Sequence, residues 1–136
     1  MSRRSIGLLA TVLLCGCLWR SYESILDVHL TVLLQMTDKL HGMADSGHTP
    51  TAADMVEFSY PAQRGREFLR AFRSSSERSS YQRFGEFLDH YEMMVKRVDA
   101  ARVTEATWRS EPARLQQDHD ALNRLAADIR RELTHG

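Results

Sequence analysis

The chain of 136 residues carries 18 Lys+Arg against 18 Asp+Glu, so its formal net charge is zero; 43% of it is hydrophobic and 26% charged. A domain of this length buries about two-thirds of its unfolded surface, and the composition excludes a disordered tail and a polytopic membrane protein. A general nucleic-acid binder shows a strong basic excess, so no nucleic-acid partner is expected.

The first twenty residues differ from the rest. Ser2-Arg3-Arg4-Ser5 is a short basic segment, residues 6–14 are almost wholly apolar, and Cys15-Gly16-Cys17 follows. That order is the n-region, h-region and cleavage-site pattern of a secretory signal peptide. The apolar run 6–19 has 14 residues, fewer than the roughly 17 that span a bilayer as a helix. Both cysteines lie in residues 1–17 and none in the other 119, so the body has neither a disulfide framework nor a zinc-thiolate site. Leu14-Cys15-Gly16-Cys17 resembles the lipobox of bacterial lipoproteins, with Leu three before and Gly one before the cysteine, although Cys15 stands where that family usually has Ala or Ser. The resemblance implies a signal peptide over 1–16, a diacylglycerol on Cys17, and membrane anchoring on the periplasmic side of the bacterial cell envelope. Ser2-Arg3-Arg4-Ser5-Ile6 also resembles part of a twin-arginine export signal, from which Gly7 departs.

Residues 17–136 read as four amphipathic helices. In the first, about 20–44, Tyr22, Leu26, Val32, Leu33, Met36, Leu40 and Met43 recur at three- and four-residue intervals. Residues 44–50 have turn composition. Thr51 with Asp54 opens a second helix, about 51–74, whose stripe is Met55, Phe58, Ala62, Gly65, Phe68, Leu69 and Phe72. Pro61 lies inside that stripe and predicts a kink or short break. A serine-rich loop leads to a third helix, about 80–103, with Ser79 or Ser80 as its cap and Phe84, Phe87, Leu88, Tyr91, Met94, Val95 and Val98 on one face. Residues 103–110 break the pattern, and Glu111-Pro112 opens a fourth helix, about 111–134, with Leu115, Leu122 and Ile129 at seven-residue steps beside Leu125, Ala126 and Leu133. Four such helices joined by short loops predict an all-α fold, an antiparallel up-down-up-down four-helix bundle.

Histidines in such a bundle invite a haem or metal reading. At 1.5 Å per residue His29 sits roughly 14 Å along the axis, His119 roughly 22 Å and Met36 roughly 24 Å. Met36 with His119 resembles the axial ligation of the soluble four-helix b-type cytochromes, which implies haem b; Met and His ligands also suit monovalent copper. Against this stands the ordinary use of Met as core filler, and no cofactor is the leading expectation. Gly65 is read as close helix packing against an aromatic such as Tyr91 or Phe84, Trp108 as a cap over the bundle end or a partner contact.

Charge is distributed unevenly along the axis. Without Arg3 and Arg4 there are 16 basic residues against 18 acidic, a charge of −2. Residues 20–32, 63–91 and 123–136 hold 10 basic against 8 acidic, and the remainder holds 6 against 10. Arg20, Arg70, Arg73, Arg78, Arg130 and Arg131 thus make a basic pole at the anchored end, suited to an anionic lipid surface. The carboxylates stand at spacings of solvated faces, and the serines lack a nucleophile elbow, so no catalytic residue and no enzymatic activity are expected. These readings predict an exported, lipid-anchored helical bundle with a non-enzymatic binding or structural role, its partners the membrane surface and another envelope protein. The alternative is a periplasmic haem- or copper-binding bundle using His119 with Met36 or His29.

Overall fold

The computed structural model describes the backbone of residues 3–135 and the side chains of residues 22–135. The predicted signal segment 1–16, Cys17 and Arg20 lie outside the residues described with their side chains. The chain is all-helical, with no strand among the described residues. Its elements are α1 (Arg3–Asp45), α2 (Ala52–Ala71), a 3-10 turn (Arg73–Ser75), α3 (Ser79–Ala101), α4 (Glu105–Arg109) and α5 (Glu111–His135). No helix among the described residues is long and apolar enough to cross a membrane.

Each boundary has a local cause. α1 stops because Gly47 takes a φ of +74°, which lets the amides of Gly47 and His48 turn back onto the carbonyls of Ala44 and Met43. This is a Schellman cap, in which a residue without Cβ reaches the left-handed region at low cost. α2 opens on a reciprocal capping box: the Thr51 amide donates to Asp54 Oδ2 at 2.8 Å, and the Asp54 amide to Thr51 Oγ1 at 3.1 Å. The Thr51 amide holds the Asp54 carboxyl below its usual range.

Other boundaries differ from the periodicity. α2 ends at Ala71 rather than 74, because after Phe72 the serine-rich chain tightens into i to i+3 bonds, Ser75 to Phe72 and Ser76 to Arg73. α3 starts after Arg78, and neither predicted serine caps it. Ser79 Oγ donates to Glu132 on α5 at 2.8 Å, and Ser80 Oγ shares a buried hydrogen bond of 2.8 Å with the Tyr22 hydroxyl on α1. Tying helices together takes the hydroxyls away from capping. The break at 103–110 contains a further short helix, α4, capped by Thr104, whose Oγ1 accepts from the Thr107 amide.

α2 passes through Pro61 without a break. Proline has no amide to offer the carbonyl four residues back, and its ring crowds the preceding turn. Beside it the Tyr91 hydroxyl of α3 donates to the Phe58 carbonyl at 2.7 Å. Burial pushes the Tyr91 hydroxyl far above its ordinary pKa, so it remains a donor. Tyr81 does the same for the end of α2, donating to the Leu69 carbonyl.

The apolar faces meet in one core, with α1 packed on α2 and α5, and α3 packed on the same two helices. All seven residues predicted for the face of α3 are buried. On α1 the face is rotated from the predicted one: Tyr22, Leu26, Leu30, Leu33, Thr37, Leu40 and Ala44 are buried, whereas Val32, Met36 and Met43 are only partly so. Thr37 is fully buried because its hydroxyl bonds back to the Leu33 carbonyl at 2.9 Å and leaves its methyl to pack.

Gly65 sits at a close approach of α2 to α3. A Cβ there meets Leu88 Cδ2 at 2.8 Å and Phe84 Cζ at 3.2 Å, and both neighbours are fully buried. Overpacking costs about 1–3 kcal/mol, and the helix propensity gained over Gly returns about 1 kcal/mol. Gly65→Ala is therefore expected to lower stability by about 1 kcal/mol in urea unfolding, and to lose this cost in a Leu88→Ala background. A net gain in the otherwise unaltered chain would show that the helices part freely there.

Candidate functional site

The arginines predicted for a basic pole lie on α2, on the 3-10 turn, at the N-cap of α3 and on α5. Arg70 lies in the last turn of α2 and Arg73 opens the 3-10 turn; both are exposed, and neither has an ion-pair partner among the described residues. The other cations are engaged. Arg78 lays its guanidinium 4.2 Å from the centre of the Tyr22 ring and pairs with Glu23 at 3.5 Å. Arg130 donates to Asp27 Oδ1 at 2.7 Å and to Thr31 Oγ1 at 2.9 Å, and Arg131 pairs with Asp128 on its own helix. Arg78 and Arg130 thus converge on the same stretch of α1, residues 23–31, with part of their charge already answered.

A second polar group lies at the seam of α3 and α5. Arg97 Nε donates to Glu111 Oε2 at 3.1 Å, its Nη2 donates to Asp118 Oδ2 at 2.6 Å, and His90 Nε2 lies 3.0 Å from the other Asp118 oxygen. Glu111 is 2% exposed and Asp118 9%. Burial works against the charge on Arg97, but the bonds to Asp118 and Glu111 outweigh it and hold the guanidinium above its ordinary pKa. Further along the seam Arg83 pairs with Glu132 at 3.0 Å. The periodicity placed Glu111 in a first turn and Asp118 beside His119, and missed their burial. The signal was present: Arg83, His90 and Arg97 stand seven residues apart on α3, and Glu111, Asp118 and Glu132 occupy one heptad position on α5.

The candidate ligands His119, His29 and Met36 each have other neighbours. His119 Nε2 is 2.6 Å from Asp38 Oδ1, and its ring stacks on His41 with centroids 6.0 Å apart. His29 packs among the aromatic rings instead, 5.3 Å from Phe68 and 6.1 Å from Phe84. Burial first, and Arg64 second, lower its pKa, which favours the neutral ring. Met36 packs on the flank of the core. Among the described residues no group of three or more His, Cys, Asp or Glu side chains is arranged to hold a metal ion. Trp108 is 3% exposed and belongs to the core.

Two expected outcomes follow from these groups. Arg97→Met strands two carboxylates, and since Arg97 is itself partly exposed the loss is set at about 2–3 kcal/mol, below that of a fully buried pair; a urea denaturation series measures it, and an unchanged midpoint would refute the role given to the network. For His29 the lowered folded pKa means that, as pH falls below 6.5, the unfolded chain takes up a proton that the folded chain resists. Stability is therefore fully retained above 6.5 and declines below it, and His29→Leu is expected to flatten that decline in melting temperature against pH.

Comparison with family models, curated proteins and solved structures finds no match for this chain.

Proposed function

We propose that the chain is a lipid-anchored, antiparallel up-down-up-down four-helix bundle of the bacterial cell envelope, held against its membrane on the periplasmic side and serving a non-enzymatic binding or structural role. The observation that carries this reading is the combination of Leu14-Cys15-Gly16-Cys17 with two exposed arginines, Arg70 and Arg73, that have no ion-pair partner among the described residues, at the end of α2. Phe68 and Phe72 of that end pack on Tyr22, at centroid distances of 5.6 Å each, so the arginines stand five residues of chain beyond the candidate anchor Cys17.

The order of cross-helix contacts supports the bundle topology. Along α1 and α5, Asp27 meets Arg130 and Asp38 meets His119, so the two numberings run in opposite directions. Phe68 and Phe72 of α2 lie against Tyr22 and Lys39 pairs with Glu57, an opposed order for α1 and α2. Phe58 with Tyr91 and Leu69 with Tyr81 give the same for α2 and α3, as Glu111 with Arg97 and Glu132 with Arg83 do for α3 and α5. The non-enzymatic reading is supported by the fate of the buried acids, since Glu111 and Asp118 are both bound by Arg97 and project into no reaction site.

In bacterial cells the protein is expected to fractionate with membranes and to incorporate labelled fatty acid, and Cys17→Ser is expected to abolish both. Membrane fractionation that survives Cys17→Ser, without label in the unaltered chain, would overturn the anchor. The purified chain without an acyl group is expected to bind vesicles of phosphatidylglycerol in a salt-sensitive manner and phosphatidylcholine vesicles much less. Equal affinity for the two would remove the basic pole from the account.

A further inference from the structure

The outer junction of α2 and α3 is an open groove of about 920 Å³, within the range of about 300–1,000 Å³ typical of small-molecule sites. Its floor is apolar and buried, made by Met55 and Ala62 of α2 with Val95 and the Tyr91 ring of α3. The Tyr91 hydroxyl is already committed to the Phe58 carbonyl, so the floor offers a ring face and no free polar group at that point. Ser59 and Ala62 keep the α2 wall low, and Val56 stands on the rim with 71% of its surface exposed to water.

The groove is not symmetrical in charge. Towards the end of α2 it reaches Arg66, whose guanidinium is bound by both Asp89 and Glu92 and so contributes little free charge. Arg66 and Arg70 also border a second hollow of about 220 Å³, closed by Leu69, Arg73 and Tyr81. The two hollows are neighbours that share Arg66 and Arg70, and the smaller one is also lined by Arg73; neither Arg70 nor Arg73 has an acidic partner among the described residues. The Tyr81 hydroxyl spends its proton on the Leu69 carbonyl, so the donors in this hollow are the arginines. Away from that end of the groove Arg102 is paired with Asp99, and Lys96 stands exposed on the α3 rim, so the two-arginine cluster at the α2 end is the denser positive charge.

We propose that this groove binds a single-chain amphiphile with an anionic head, its chain lying over Met55, Ala62 and Val95 and its head between Arg70 and Arg73. An apolar trough with an unanswered cationic pocket at one end is complementary to that one distribution of properties. A neutral chain leaves the arginines unused, and a small anion leaves the trough wet. The site stands on the groove and its charges and does not depend on the anchor at Cys17.

The test is calorimetric titration of the full chain with lauroyl-lysophosphatidylglycerol below its critical micelle concentration. Lauroyl-lysophosphatidylcholine, glycerol phosphate and an acidic amphipathic peptide serve as the other arms. One saturable site for the anionic lysolipid is expected, with at least tenfold weaker binding of the zwitterionic one and none of glycerol phosphate at the same concentration. The double variant Arg70→Gln, Arg73→Gln is expected to erase the preference between heads, and Ser59→Trp to block the trough and remove binding of both lysolipids. Melting curves check that the variants fold. Independently of them, methyl resonances of the unaltered chain are expected to shift at Val56, Ala62 and Val95 and to stay in place at Leu133. Equal affinity for the two heads, shifts away from α2 and α3, or binding of the acidic peptide without either lysolipid would overturn the proposal.

Discussion

Hydrophobic seams fix which faces of helices meet far better than they fix how far one helix has slid along another. On α5 the seam residues Leu115, Leu122 and Ile129 repeat every seven positions, so a slide of one heptad replaces one large aliphatic side chain by the next. The acidic ladder at Glu111, Asp118 and Glu132 does not share that tolerance, because the fourth residue of the same heptad position is Leu125. In the observed register Arg97 spans Glu111 and Asp118, His90 meets Asp118 and Arg83 meets Glu132. A slide that advances the ladder by seven residues sets Leu125 against His90 and parts Glu111 from Arg97. Breaking a buried pair in this way costs several kcal/mol, whereas its net contribution in the correct register is small. The network thus acts as a register device, in the manner of polar residues at coiled-coil seams.

That register has consequences on the other side of α5. His119 comes to Asp38, Arg130 reaches Asp27 and Thr31, and Ser79 bonds Glu132 only because α5 stands at one height between α1 and α3. These surface pairs are individually weak, since exposed ion pairs contribute about 0–1 kcal/mol each. They follow the register and do not set it. On the opposite side, α2 is fitted by shape: Gly65 admits Leu88 and Phe84, and the hydroxyl of Tyr91 meets the chain beside Pro61. The same small side chains that let α2 close on α3 at Gly65 leave the outer junction hollow at Ser59 and Ala62.

The face of α3 was legible because its apolar residues are confined to one side, so only one stripe satisfies the period. α1 was less legible. Ile25, Val28, Leu30, Val32, Leu33, Leu34 and Met36 surround much of the helix, and intervals of three and four select more than one face from them. The buried face includes Thr37, which counts as polar in a pattern and packs as apolar once its hydroxyl is spent on Leu33. Met36, which the period sets on the inner face, packs on the flank of the core, and His119 sits beside Asp38 and His41. The serines at 79 and 80 were read as caps because capping is a local rule; their partners, Glu132 and Tyr22, are 53 and 58 residues away. The heptad spacing of Arg83, His90 and Arg97 was local and readable, but an acid at a seam position is read as solvated unless the facing helix is consulted.

The neutral total charge also changes meaning once the pairs are known. Of the basic-pole arginines with described side chains, Arg78, Arg130 and Arg131 each answer a carboxylate within their own end of the molecule, so the local excess of positive charge narrows to Arg70 and Arg73. Both lie at or just beyond the C-terminus of α2, where free carbonyls draw a cation and help to hold it exposed. Two such charges near an anionic surface contribute about 2 kcal/mol in all, too little to hold a protein of this size there. If the chain works at a membrane, the arginines therefore orient it and select an anionic headgroup, and the residence time must come from apolar insertion. An acyl chain on Cys17 combined with a small basic patch satisfies the two-signal rule for stable attachment, with neither part sufficient alone.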